Sequence, residues 1–372
     1  CGCSVDAVHR EMVTRFEKAE NVALYIINEA LTYLSNHIDI TEFKNISEDA
    51  IPFLVLNPTG FEKSRVIETE IEVYKEYFED NNNDVKLCVK KVKEYNVPEF
   101  KVINKNGCVI PSKIIEVNER FNFDLPKDKF RKPYMAKVVK DMDKFSWKTF
   151  ALVEADQAEE NNESLFISGR ELENEYVKVN INDNGSINLL HKESNKEYLN
   201  LCLYEDCGDV GNEYIYGAPK GVAPIISSDS EAKIKVLEDS SFRAVVEVKN
   251  TIKIPKSADD TLKKEIEELI EFKYREAKRS TEMIDMEITT IYTLERLGKG
   301  VKVKTSFNNE ALDHRVRVLF ETNINTPYNY ADSIFEVAKR DNTPSEEWEN
   351  PCNTQHLQYF VNVHDENCGL TI

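Results

Sequence analysis

Eighteen consecutive apolar residues occur nowhere in this 372-residue chain, so no segment reads as a bilayer-spanning helix. The basic, apolar and small-residue succession of a signal peptide is missing too, though one could have stood ahead of Cys1. Excess positive charge is also lacking: 48 Lys and Arg against 67 Asp and Glu leave a formal net charge of −19. A polyanion would be repelled and would release no counterions, which argues against nucleic acid and anionic membrane as partners. Signatures of common enzymes are absent as well, with no Gly-x-Ser-x-Gly elbow, Walker loop, Gly-x-Gly-x-x-Gly after a strand or His-Glu-x-x-His. Nor is there an initiator methionine, since the chain opens Cys1-Gly2-Cys3-Ser4. Its last residues, Gly369-Leu370-Thr371-Ile372, read as the start of a strand, and the two ends together read as a piece of a larger protein.

What is present is globular. Apolar residues make up 41% and aromatics 10%, enough for two or three domains with real cores. Eight cysteines are scattered through the chain, a pattern of reduced cytoplasmic thiols more than of a disulfide frame. Cys1-x-Cys3 is too close for a zinc pair, and no second ligand pair follows at suitable spacing. A lipidated Cys1, as in a mature bacterial lipoprotein, is the alternative. Such proteins continue as a polar tether, whereas here Ser4 can cap a helix at once and Val5, Val8, Met12, Phe16, Ala19 and Ala23 form one stripe.

The periodicity predicts one long bundle helix from Val5 to about His37, with no second helix after it. From Ile51 the pattern changes to short alternating segments. Strands are predicted at Arg65–Tyr74, Val85–Val92, Glu99–Ile103, Cys108–Val117, Met135–Val139 and Thr149–Val153, a small antiparallel sandwich. Asn57-Pro58-Thr59-Gly60 and Asn106-Gly107 supply its turns. After an acidic linker at Ala155–Glu163, a hairpin turning at Asp183-Asn184-Gly185 opens a second β domain of longer strands, a two-sheet sandwich. Lys256–Arg279 is charged, with a short helix at Leu262–Phe272, and reads as a solvated insertion.

The densest constellation is the segment from Tyr204 to Pro219, a loop of acids and tyrosines bounded by glycine and proline. Carboxylates accept hydrogen bonds from sugar hydroxyls, and Tyr joins an apolar ring to a polar tip, so the composition suits a carbohydrate. Tyrosines packed on the sandwich and solvated acids are the plainer reading. Arg315 and Arg317 share one strand face after His314. They read either as an anion or carboxylate contact or as an ion-paired surface. His9 reads as a packed or capped side chain, and Gln355-His356 receives no role.

Several segments, in order, resemble the glycoside hydrolase family 38 α-mannosidases, in particular the bacterial branch that includes mannosylglycerate hydrolases. Cys1 to Met12 looks like the helix that follows the branch's His-Asp-Ser-Ile segment. Phe53 to Glu62 resembles its "FNPLGWER" strand, and Gly208 to Pro219 its "GDAGDEYNYSPP" loop. Asp313 to Phe320 resembles "DHRLRVLF", and Ala331 to Glu336 resembles "ADSQFEV".

The resemblance implies a mainly β fold with an N-terminal long helix. Residues 1–45 would belong to the central helical bundle, 51–155 to a small Ig-like β-sandwich, and 164–372 to a large galactose-mutarotase-like β-sandwich, incomplete at its C-terminus. It implies part of a retaining α-mannosidase in which a barrel Asp attacks the anomeric carbon, a second carboxylic acid protonates the leaving oxygen, and zinc holds the mannose 2- and 3-hydroxyls. The zinc ligands, two His and two Asp, would lie upstream of Cys1, so neither a catalytic residue nor a metal ligand carries over. Tyr214 is the match for a tyrosine that hydrogen-bonds the sugar, flanked by Asp209, Glu213 and Tyr216. Asn212 stands where the branch often has Asp, and Lys256–Arg279 is longer than typical. The implied partners are an α-mannoside and the catalytic barrel of the same polypeptide, and the cytoplasmic parent could form a homodimer. A non-catalytic carbohydrate-binding or adhesive β-sandwich, anchored at Cys1, is the competing class.

Overall fold

A computed structural model describes residues 5–110, 112–116, 120–124, 127–156, 163–347 and 354–372, with only the backbone for 64, 65 and 113–141. The chain divides into two units, Cys1–Glu160 and Asn161–Ile372. The acidic linker falls largely outside the described residues, as does Ser4, the expected helix cap.

The first unit opens with helix α1 (Asp6–Asn36), preceded by Val5, which makes no side-chain cap. None of its residues is buried, and Val8, Met12 and Phe16 stand exposed along one stripe. A second helix does follow, contrary to the sequence pattern. Asp39 accepts the Thr41 amide at 2.9 Å to start α2 (Thr41–Ile46), too short a turn to show helical periodicity. Its Phe43 is buried with Ala50, Ile103, Ala151 and Val153, which fixes the turn to the β-structure that follows.

Eight strands come next: β1 (Ile51–Asn57), β2 (Lys63–Tyr77), β3 (Phe100–Asn104), β4 (Val109–Ile110), β5 (Ser112–Glu116), β6 (Arg120–Asp124), β7 (Lys127–Met142) and β8 (Ser146–Glu154). They form two antiparallel sheets, β1-β8-β3-β4 and β2-β7-β5, with β6 also on β7. Val55, Ile71, Val102, Met142, Phe150 and Leu152 from both sheets share one core, so the unit is a sandwich. Buried Asn57 builds its first turn, donating to the carbonyls of Phe61 at 2.8 Å and Asp143 at 2.7 Å.

The strand predicted at Val85–Val92 is instead helix α3 (Val85–Glu94). Asp84 accepts the Lys86 and Leu87 amides at 2.8 and 3.2 Å, satisfying two donors that a strand would have sent to a neighbour. Cys88 and Val92, four apart, are its buried stripe. Their spacing fits a helix face as well as the alternation fitted a strand.

The second unit holds sixteen strands among the described residues. In chain order they begin with β9 (Phe166–Ser168), β10 (Glu171–Glu173), β11 (Val177–Ile181), β12 (Ile187–His191), β13 (Lys196–Leu201), β14 (Leu203–Gly208), β15 (Ile225–Ile226) and β16 (Lys233–Asp239). After these come β17 (Arg243–Pro255), β18 (Met283–Glu295), β19 (Val301–Phe307), β20 (His314–Leu319), β21 (Tyr328–Ser333), β22 (Glu336–Asp341), β23 (Val361–His364) and β24 (Gly369–Thr371). Between β17 and β18 lies helix α4 (Asp260–Glu267).

The two sheets expected from the sequence are four: β13-β12-β11-β10-β9, β15-β14-β20, β16-β17-β18-β19 and β22-β21-β23-β24. The physical reason is a break at Asn200 and Cys202, whose φ of 56° and 69° leave the extended region, so that β13 and β14 join different sheets. The thirteen-residue strands β17 and β18 underlie both. At one end Ala244, Val246, Val248, Tyr292 and Leu294 meet the inner face of β10 to β13. At the other, Ile252, Ile254, Met286 and Ile288 meet Tyr204 of β14 and Val316 of β20.

Replacing Asp84 by Ala is expected to cost about 0.5–2 kcal/mol of stability in urea and to speed amide exchange at Lys86 and Leu87. Unchanged exchange at those two amides would contradict the helix cap.

Candidate functional site

Residues Tyr204–Gly208, which composition assigned to a loop, are strand β14. They pair antiparallel with β20 so that Glu205 lies opposite Arg317, Asp206 opposite Val316, Cys207 opposite Arg315 and Gly208 opposite His314. Side chains alternate along a strand, and this register sorts the charged ones onto two faces. On the core face, buried Asp206 pairs with both His314 and Arg279, the last residue of the 256–279 stretch. The Arg279 side chain is 6% exposed, and a buried guanidinium of this kind is tolerated because a carboxylate meets it. The other face carries Glu205, Cys207, Arg315 and Arg317. Arg317 donates to Glu205 from Nε at 2.7 Å and again from Nη2. The Cys207 thiol meets the same Glu205 oxygen at 3.1 Å.

Past Gly208 the chain makes a compact loop. The Val210 amide donates to the Gly217 carbonyl at 2.7 Å and the Asn212 amide to the Ile215 carbonyl at 3.0 Å. Asp209 Oδ1 accepts the amides of Gly211 at 2.9 Å and Gly217 at 3.0 Å, and Asn212 Oδ1 those of Tyr214 at 2.9 Å and Ile215 at 2.8 Å. Gly211 is obligatory here, because a Cβ would lie 1.9 Å from the Ile215 carbonyl oxygen.

The 256–279 stretch is more than a solvated insertion. Leu262 and Ala277 are buried against Val210, and Arg275 Nη1 donates to the carbonyls of Val210, at 2.7 Å, and Gly211. Lys278 Nζ reaches the Lys220 carbonyl, and Lys220 pairs with Glu276. The loop is thus held from within by Asp209 and Asn212 and from one side by Arg275.

Tyr214 stands at the tip, 84% exposed, with its backbone amide held by Asn212 Oδ1. Glu213 beside it is exposed too. Tyr216 is half-buried, and the Arg315 guanidinium lies 3.4 Å over its ring centroid. Of the four residues singled out in the sequence, one loop holds all four, with Tyr214 and Glu213 facing solvent. Asp209 spends Oδ1 on two backbone amides, and Tyr216 is stacked on Arg315. Sequence reasoning missed Arg275 and Arg279, whose targets lie far away along the chain. It left Asn212 uncertain, and its carbonyl oxygen does the turn-closing work that an Asp carboxylate could also do.

The charges perturb one another. Burial would raise the Glu205 carboxyl, but the Cys207 thiol and the Arg317 and Arg315 guanidiniums outweigh it and hold Glu205 below its usual range. Burial, and then Glu205, push the Cys207 thiol up. Burial, chiefly, raises the Tyr216 phenol, which keeps it a protonated donor at neutral pH. Among the described residues no three His, Cys, Asp or Glu side chains are grouped as a metal would need.

The description "Glycosyl hydrolases family 38 C-terminal domain 1" matches residues 48–154, and "Glycosyl hydrolases family 38 C-terminal domain" matches 172–372, more than half of the chain. The chain belongs to glycosyl hydrolase family 38. Within the family it is 37% identical, over 100% of its own length and 42% of the relative's, to a Halalkalibacterium halodurans protein named "Putative mannosylglycerate hydrolase". The crystal structure of an alpha-mannosidase from Enterococcus faecalis V583 matches with a TM-score of 0.89 at 37% identity, over 100% of this chain and 42% of that one. A second family 38 protein from Enterococcus faecalis matches with a TM-score of 0.88 at 36% identity, again over 100% of this chain and 43% of that one. The chain thus spans well under half the length of these relatives.

Because a raised pKa leaves less thiolate at a given pH, Cys207 is expected to alkylate slowly near neutrality. Glu205→Gln removes the negative charge that disfavours the thiolate, so the pKa of the thiol should fall and alkylation at pH 8 should quicken, as read by mass spectrometry of the Cys207 peptide. An unchanged rate would separate Cys207 from Glu205.

Proposed function

We propose that this chain is the helical and β-sandwich portion of a retaining, zinc-dependent α-mannosidase, and that its loop at 209–217 contributes Tyr214 to the sugar pocket. One observation carries the reading. Tyr214 is a large aromatic left 84% exposed on a loop whose backbone is fixed by Asp209, Asn212 and Arg275. Ordering a surface loop costs conformational entropy, and an exposed aromatic gains little from water. A residue carried on a backbone fixed in this way suits a ligand, because little loop freedom remains to be lost on binding.

The chemistry available to it is that of a contact residue. The Tyr214 hydroxyl can donate to one sugar hydroxyl and accept from another, while the ring covers an apolar C–H face. Glu213, exposed next to it, can accept from a further hydroxyl. The family resemblance adds zinc and the carboxyl pair that cleaves the glycosidic bond. Among the described residues no group of side chains fits the metal; we assign both to the part of the relatives' length that this chain does not span. The family membership and the relatives' names support hydrolysis of α-mannosides, with Tyr214 orienting the sugar rather than transferring a proton.

In the protein that includes the upstream portion, Tyr214→Phe is expected to lower kcat/KM for an α-mannoside about two- to tenfold, the range of one neutral hydrogen bond. The circular dichroism spectrum should not change. The 372-residue chain alone should release no p-nitrophenol from p-nitrophenyl α-mannoside. Unchanged kcat/KM in Tyr214→Phe would remove Tyr214 from the pocket, and turnover by the chain alone would overturn the assignment of catalysis elsewhere.

A further inference from the structure

Helix α4 ends in a strained turn whose side chain is left in water. The Leu269 amide donates to the Ile266 carbonyl at 3.1 Å and the Ile270 amide to the Glu265 carbonyl at 2.8 Å, the pair of bonds that closes a helix when the residue after its cap turns left-handed. Leu269 is that residue, with φ at 57°. Glycine takes such a position freely, whereas any Cβ there crowds the following carbonyl oxygen. The side chain that imposes this strain is 90% exposed, and Ile266 and Tyr274 on the same stretch are exposed too. A strained backbone and a solvated apolar side chain thus coincide at one residue, and with only a tenth of Leu269 covered the described residues offset neither.

The place of Leu269 narrows what can cover it. Arg275 donates from Nε to the Ile270 carbonyl at 3.2 Å and from Nη1 to the Val210 carbonyl at 2.7 Å, so one guanidinium fastens the end of α4 to the loop that presents Tyr214. Glu265 Oε1 accepts the Glu276 amide at 2.7 Å, and Leu262 and Ala277 pack on Val210, which joins α4 and the loop into one body. Whatever meets Tyr214 is therefore brought alongside Leu269. A second copy of this chain is disfavoured, because each carries a net charge of −19 and Glu267 and Glu268 are exposed beside Leu269. A side chain with no hydrogen-bonding group suits the apolar centre of a protein interface better than a hydroxyl-rich sugar. More than half of the relatives' length lies outside this chain, and a portion of the same polypeptide is present at high effective concentration. Resting on the reading of Tyr214 above, we infer that Leu269 docks on the catalytic portion of the same polypeptide, in an apolar pocket whose rim is basic to meet Glu267 and Glu268. Burial there offsets the strain at φ 57° and sets that portion against the 209–217 loop.

The test is made in the full-length protein. Leu269→Cys places a thiol on the same backbone, and its rate of alkylation by iodoacetamide is compared with that of a peptide of residues 260–275 carrying the same substitution. The protein should react at least about tenfold more slowly, since a docked thiol is closed to the reagent. A rate closer to that of the peptide overturns the inference, and leaves the α-mannosidase reading in place if the same preparation hydrolyses an α-mannoside. A wild type that hydrolyses no α-mannoside overturns that reading and the inference with it. Protection that grows with protein concentration assigns the contact to a second copy, and protection seen only with an α-mannoside bound assigns it to substrate; either overturns the inference. Leu269→Gly supplies a second readout of opposite sign. Glycine relieves the left-handed strain, so an undocked residue predicts a Tm unchanged or raised, whereas loss of the docked side chain should lower Tm by about 2–4 °C. A Tm that does not fall overturns the docking of Leu269.

Discussion

The register between β14 and β20 is the constraint on which the site depends. Side chains alternate along a strand, so a slip of one residue would exchange the two faces of this ribbon. It would turn Asp206 and His314 out of the core and bring Glu205 and Cys207 into it. Asp206 guards against that slip. It is buried and meets two partners, the His314 imidazole of β20 and the Arg279 guanidinium at the end of the 256–279 stretch. Ion pairs of this kind add little net stability, since desolvating the charges offsets their attraction, but an unpaired buried carboxylate costs several kcal/mol. The carboxylate therefore selects one register over others, and everything on the opposite face inherits its position from that choice.

From this ribbon the loop at 209–217 grows as a rigid extension. Gly208 leaves the strand where a Cβ would strike Pro219 at 2.7 Å and Arg279 at 2.9 Å, so strand end, loop end and brace close on a point that only glycine can occupy. Asp209 then gathers the amides of Gly211 and Gly217, and Arg275 ties down the carbonyls of Val210 and Gly211. Of the backbone amides from 210 to 217, only those of Glu213 and Tyr216 find no acceptor among the described residues. Rigidity with exposure is the combination a recognition loop needs, because the backbone that carries the contact residue is ordered before binding.

Much of this was legible in the sequence, and the rest was hidden for physical reasons. The Tyr214 loop stood out by composition and by family resemblance. Its solvated acids and packed tyrosines, the plainer reading, hold for part of it: Glu213 faces water, but Asp209 closes a turn and Tyr214 is not packed. Val85–Val92 satisfied both a strand and a helix pattern, and the Asp84 cap that decides between them gains meaning only once the helix is placed. The difference between Arg315 and Arg317 could not be read, because the carboxylate that takes Arg317 sits 112 residues away on another strand. Arg275 reaches over 65 residues to the Val210 carbonyl, and no local pattern announces a side chain aimed at a distant backbone. Local chemistry was visible, and pairing across the sheet was not.

Hydrogen–deuterium exchange of the free protein across residues 209–217 is the most direct measurement of the central claim, that this loop is fixed before any ligand arrives. The amides of Gly211, Ile215 and Gly217 should be protected in the wild type despite their place at the surface, and Arg275→Ala should release them while β14 stays protected. Exchange of these amides at the rate of an unstructured peptide in the wild type would contradict the account.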